Sequence, residues 1–232
     1  MNSIAENLTR IRERINSACA KVNRKSEEIN LVAVTKTVDT ERIKEGIANG
    51  IKIIGENRVQ EAKEKYPAIG NNVEWHMVGH LQTNKVKTAL EVFSLIQSVD
   101  TIHLAEEIQK RASAINRIVP ILIEVNTSGE ETKYGLNPEE LASVITTIQA
   151  MPNLSIKGLM TIGPGLAIEN PEASRKSFRM LYELKNKVEA EFKLKLPYLS
   201  MGMSSDFEIA IEEGSNMIRI GTAIFGERTY QH

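Results

Sequence analysis

"LVAVTKTVD", residues 31–39, sets an apolar run directly against a lysine. Leu31 to Val34 have the short, unalternating apolar character of a strand buried on both faces. A lysine is almost never fully buried unless it has a partner or a task, so Lys36 at the exit of such a strand asks for one.

Extended back to Ile29, this run is the first of eight apolar segments of strand length. The others are "IKIIG" (51–55), "VEWHMVG" (73–79), "FSLIQSV" (93–99), "VPILIEVN" (119–126), "LSIKGLM" (154–160), "LPYLSMG" (196–202) and "NMIRIG" (216–221). The segments between them carry helix punctuation. Ser3 with Glu6 fits a capping box, ahead of a stripe of Ile4, Leu8, Ile11, Ile15, Ala18 and Val22. Gly50 closes a helix after Ala48, and Asn137, Pro138 and Glu140 open another. Asn170-Pro171 repeats that start before a face of Phe178, Leu181, Leu184, Val188 and Phe192, and Ser205 with Glu208 fits one more box. Strands that alternate with helices predict a parallel sheet covered by helices. Eight such units in 232 residues predict an α/β protein built as a single (β/α)8 TIM barrel, residues 1–232, with an extra N-terminal helix. An open doubly wound sheet is the alternative, and it usually has fewer strands.

Composition excludes several function classes. A net charge of −1, with 41% hydrophobic and 25% charged residues, describes a globular chain without the basic footprint of a nucleic-acid binder. The lone Cys19 allows no internal disulfide and no cysteine-based metal site. "MNSIAENLTRIRER" has acids and no apolar signal core, and no run approaches the roughly 20 residues that span a bilayer. The expectation is a cytoplasmic protein, bound to neither nucleic acid nor membrane, and a monomer.

Barrel active sites lie at the C-terminal ends of the strands, which sorts the candidates. An amine with an unperturbed pKa of about 10.4 is neutral in roughly one molecule per few thousand at pH 7. An apolar mouth with cationic neighbours raises that fraction and favours a Schiff base on Lys36. The plain alternative is a strand-end lysine in a salt bridge, with Glu56 as the partner. "SMGMSSD" and "GTAIFG" supply hydroxyls, glycines and backbone N–H groups after strands seven and eight, where barrels often bind phosphate. They can equally be tight capped turns. Arg219 shares a face with Gly221, so it lines the interior top if Gly221 does. It then binds something or pairs with an acid such as Glu124. His76 reads as a core residue, His103 as surface, His232 as terminal, and His80 as a strand-exit residue able to enter the site.

"LVAVTK", "GENRVQE", "WHMVGHLQTNK", "EVNTSGEETKYG", "GLMTIG" and "LSMGMSSDFEIAIEEGSNMIRIGTAIFG" occur in order from residue 31 to residue 226. Together they resemble the pyridoxal phosphate homeostasis proteins, relatives of the alanine racemase barrel domain. The resemblance implies pyridoxal 5′-phosphate (PLP) held covalently as a Schiff base on Lys36. It implies a phosphate held by Ser200, Ser205, Gly221 and Thr222, and Arg219 facing the pyridine nitrogen. Asn57 and Met201 become wall residues. A cation facing that nitrogen disfavours its protonation and makes the ring a poorer electron sink. The implied function is vitamin B6 homeostasis and supply to apo PLP-dependent enzymes, without catalytic turnover. A racemase-like PLP enzyme and a cofactor-free Schiff-base aldolase are the other readings.

Overall fold

The computed structural model describes residues 3–226. Helix α1 (Ile4–Lys21) begins at Ser3, whose hydroxyl accepts from the Glu6 N–H while the Glu6 carboxylate accepts from the Ser3 N–H. Then follow β1 (Asn30–Val34), α2 (Thr40–Ala48), β2 (Ile53–Glu56), α3 (Val59–Ile69), β3 (Glu74–Met77), α4 (Val86–Val92) and β4 (Leu95–Val99). The chain continues with α5 (Ile102–Ala114), β5 (Val119–Glu124), α6 (Leu141–Gln149), β6 (Leu154–Met160) and α7 (Arg175–Phe192). It ends with β7 (Tyr198–Ser200), α8 (Phe207–Glu212), β8 (Met217–Ile220) and the short α9 (Thr222–Phe225).

The strands pair in sequence order, and β8 returns to β1, so the parallel barrel closes as expected. Two apolar cores result. The larger lies between sheet and helices and takes in the α1 stripe, Trp75, Phe93, Phe178 and Phe207. The smaller fills the barrel with Val32, Val78, Leu95, Leu122, Met160 and Met217. Helix α1 lies against α8 and α9, where Arg14 forms a two-pronged bond to Glu208 and stands 4.4 Å over the Phe207 ring.

The ladders are shorter than most of the apolar runs. "LPYLSMG" contributes only Tyr198–Ser200, because Met201 and Gly202 already turn toward α8. Gly202 has φ +97, and a Cβ there would meet the Ala210 side chain at 2.5 Å, so its glycine serves helix packing. The Ser205–Glu208 box does not form. Helix α8 starts at Phe207, and Asp206 instead accepts from the Met203 N–H and from the Ser174 hydroxyl. Asn137 and Glu140 do form their box, on a 3-10 turn that leads into α6.

Candidate functional site

Val32 and Val34 face the barrel interior, and Lys36 follows two residues later in the turn at the C-terminal end of β1, half-buried. Thr35 points the other way. Its hydroxyl donates to Glu56 Oε1 at 2.6 Å, and Lys65 Nζ reaches the same oxygen at 2.7 Å. Glu56, the partner in the salt-bridge alternative, is therefore engaged by Lys65 and Thr35. Burial holds the Glu56 carboxyl above its ordinary pKa, against the pull of Lys65.

Arg219 lies on β8, beside β1, and is buried. Its guanidinium donates to Ser200 Oγ at 2.6 Å and to the Thr161 carbonyl at 2.7 Å. Ser200 in turn donates to Gln97 Oε1 at 2.6 Å, and Gln97 Nε2 meets His76 Nδ1 at 2.9 Å. This chain of bonds fixes Arg219 from below. The Ser200 hydroxyl is buried and bonded to both Gln97 and Arg219. Met201 is likewise buried. Its side chain packs in the outer core between sheet and helices, because it follows Ser200 on a period-two strand.

The loops after β7 and β8 meet at a residue the sequence reading passed over. Ser204 Oγ accepts from Thr222 Oγ1 at 3.2 Å and from the Ala223 N–H at 3.5 Å. Ser205 is half-buried beside it. Among the described residues, no acceptor takes the backbone N–H of Ser204, Ser205 or Thr222. Gly221 sits against Val34, with its missing Cβ 3.2 Å from the Val34 carbonyl oxygen. Ser205, Gly221 and Thr222 are thus brought together, with Ser204 as the added member. The sign available in the sequence was its adjacency to Ser205.

Asn57 continues the inward alternation of Ile53 and Gly55 beyond β2 and is half-buried. Gly79, at the next strand exit, lies so close that a Cβ would come within 2.6 Å of the Asn57 carbonyl oxygen. Across the mouth, His80 Nδ1 is 3.0 Å from Asp100 Oδ2, and its ring stacks on Tyr134 at 4.0 Å and 12°. Asp100 Oδ1 is buried with no partner among the described residues. His76 is the core residue expected, its imidazole pushed below its ordinary pKa by burial, and His103 is exposed. His232 lies outside the described residues.

Glu124 ends β5 inside the mouth. Desolvation first, then the Asp100 carboxylate, pushes it up to about 7, against the attraction of Arg219. The same burial lowers Arg219 to about 10, which leaves it charged at neutral pH. Between about pH 4.5 and 7 the folded chain therefore keeps a proton that the unfolded chain has released, so stability falls as pH rises through that window. Glu124→Gln is expected to lack this fall. Its stability advantage over the parent should grow by on the order of 3 kcal/mol between pH 4.5 and pH 8 in urea titrations.

Residues 2–229 match the alanine racemase N-terminal domain family. The pyridoxal phosphate homeostasis protein of Aquifex aeolicus is 49% identical over 226 residues, 97% of this chain and 98% of that one. The protein of the same name from Vibrio alginolyticus is 38% identical over 237 residues, 99% of this chain and all of that one (100%). PipY of Synechococcus elongatus, solved with PLP bound, superposes with a TM-score of 0.84 at 32% identity, over 97% of this chain and 100% of PipY. Identity at this level, end to end along the matched sequences and on the same barrel, makes this chain a member of the pyridoxal phosphate homeostasis proteins, within the alanine racemase N-terminal domain family.

Proposed function

We propose that the barrel mouth holds PLP covalently on Lys36 and that the protein serves PLP homeostasis and supply in the cytoplasm, as a monomer and without turnover of amino acids. The observation that carries this reading is the company Lys36 keeps. The strands on its open side of the barrel closure, β8 and then β7, bring Arg219 and the joined Ser204/Thr222 loops beside β1.

The residues fit the group. Three N–H groups without acceptors, on Ser204, Ser205 and Thr222, suit a phosphate dianion, with Gly221 leaving room for close approach. Lys36 supplies the amine, Asn57 a polar wall, and Arg219 a cation aimed from a fixed position. Bound PLP would supply an aldehyde and a ring able to accept electrons. A charged Arg219 opposes protonation of the ring nitrogen, which weakens the electron sink and favours holding over carbanion chemistry. The pyridoxal phosphate homeostasis relatives and the PLP-bound PipY structure support the same reading.

Two serines separate anchoring from binding. Ser200→Ala should cost about 1–3 kcal/mol in thermal unfolding, because it strands Gln97 and Arg219 in a buried network. Ser204→Ala should leave unfolding nearly unchanged and weaken phosphate binding roughly 10-fold in calorimetry with pyridoxine 5′-phosphate, through loss of about one hydrogen bond to a charged group.

Supply is tested by mixing PLP-loaded protein with an apo PLP-dependent enzyme. Activation faster than with the same concentration of free PLP supports delivery, and an unchanged rate counts against it. The His80–Asp100 pair is the one feature that favours a racemase-like reading, since a carboxylate-oriented imidazole suits proton transfer. That reading requires α-proton exchange of free amino acids in heavy water by the loaded protein, lost in His80→Gln.

A further inference from the structure

The backbone on either side of Lys36 is held from outside the barrel by one helix. Lys65, on α3, donates to the Thr35 carbonyl at 2.6 Å, and also to Glu56 and to Glu61 Oε1 at 2.6 Å. Glu61, one turn earlier on α3, accepts from the Thr37 N–H at 2.5 Å. The Val38 N–H closes a turn onto the Thr35 carbonyl at 3.0 Å, and the Thr37 hydroxyl donates to the Lys36 carbonyl at 2.6 Å. Thr35 itself is tied to β2 through its N–H and its hydroxyl.

This turn is strained. Thr37 has φ +63, a left-handed conformation that β-branched residues avoid and that turns of this kind normally give to glycine or asparagine. Such a conformation costs of order 1–3 kcal/mol and persists only where the surroundings over-determine it. Here the over-determination comes from Glu61 and Lys65, which grip the groups just before and just after the lysine.

We infer that Glu61 and Lys65 are positioning residues that hold the strained Thr35–Val38 turn so that the Lys36 amine meets the aldehyde of PLP in an attacking geometry. The inference rests on the proposed attachment of PLP to Lys36. In that step the Lys36 nitrogen bonds to the aldehyde carbon, and the aldehyde oxygen leaves as water. Among the described residues, Glu61 and Lys65 make their bonds to the turn, to Glu56 and to each other, and none to the phosphate loops that follow β7 and β8. Damage to it should therefore affect the covalent step and spare the non-covalent one.

The experiment uses the full chain, stripped of PLP, as wild type, Glu61→Ala, Glu61→Gln and Lys65→Met. Two ligands are compared: PLP, followed by the visible absorbance of its lysine-bound form, and pyridoxine 5′-phosphate, which lacks the aldehyde, followed by calorimetry. Glu61→Ala and Lys65→Met should slow covalent attachment roughly 10- to 100-fold, the scale of a small misplacement of reacting groups. Both should bind pyridoxine 5′-phosphate within about 2-fold of wild type, the change left when no phosphate contact is lost. Glu61→Gln, which keeps an acceptor for the Thr37 N–H, should recover most of the rate. Wild-type attachment rates in Glu61→Ala and Lys65→Met overturn the inference, and so does an equal loss of both ligands, which marks general damage. Failure of the wild type itself to attach PLP overturns the underlying function instead.

Discussion

Lys36→Ala is expected to abolish covalently held PLP. The purified variant should be colourless beside a yellow wild type, and borohydride should leave no cofactor mass on any peptide, where the wild type carries it on the peptide containing Lys36. Residual affinity should persist through the phosphate loops and fall roughly 100-fold or more, because the bond to a pre-positioned amine is gone. Lys36→Arg sharpens the test. It keeps the cation and most of the stem but cannot form the attachment at neutral pH. If the lysine only carried charge at a strand end, the Arg variant would behave as wild type. The expected result is that it loses PLP as fully as the alanine variant, with unfolding stability changed by no more than about 1 kcal/mol, as for other half-exposed charges. An adduct on another lysine in either variant would move the site.

The barrel was legible because eight unalternating apolar runs at near-regular spacing leave few architectures open, and β6 spans the very residues 154–160 that the pattern marks. Lys36 and Arg219 stand out in the sequence for a related reason. A cation inside or directly after an apolar strand is costly, so its presence is itself a signal. Gln97 carried the same kind of mark, a polar residue inside "FSLIQSV", yet its role emerges only from its bonds to Ser200 and His76. For Ser200 and Met201 a strand-end motif gives adjacency without facing. Whether a hydroxyl serves a ligand or a neighbouring guanidinium depends on a partner distant in sequence, here Arg219. The Lys65–Glu61 clamp was out of reach. Its members lie on a helix whose pattern reads as an ordinary charged surface, and the strain they oppose is a backbone angle.

Gly158→Ala is expected to have the largest effect on stability of any glycine-to-alanine change among the described residues. Gly158 pairs with Tyr198 across β6 and β7, and its missing Cβ would stand 1.9 Å from the Tyr198 carbonyl oxygen and 2.7 Å from its carbonyl carbon. Carbon and carbonyl oxygen normally approach no closer than about 3.3 Å, so the two strands must separate by more than ~1 Å. No side-chain rotation relieves a clash with backbone. The cost should exceed about 4 kcal/mol, the range kept for a broken core or backbone. Gly70→Ala is the control: φ +72 with ψ −156 is a region kept essentially for glycine, but open space surrounds the position, so it should cost about 1–3 kcal/mol. The consequence reaches the mouth. Ser200 ends β7, Thr161 follows β6, and Arg219 holds one with each prong of its guanidinium. Parting β6 from β7 pulls those two anchors away from each other, so any Gly158→Ala protein that folds should also lose PLP. Urea unfolding of both alanine variants, with a PLP titration of whatever remains folded, checks the two effects together. A Gly158→Ala protein as stable as its parent would mean that the strands do not pack at this register.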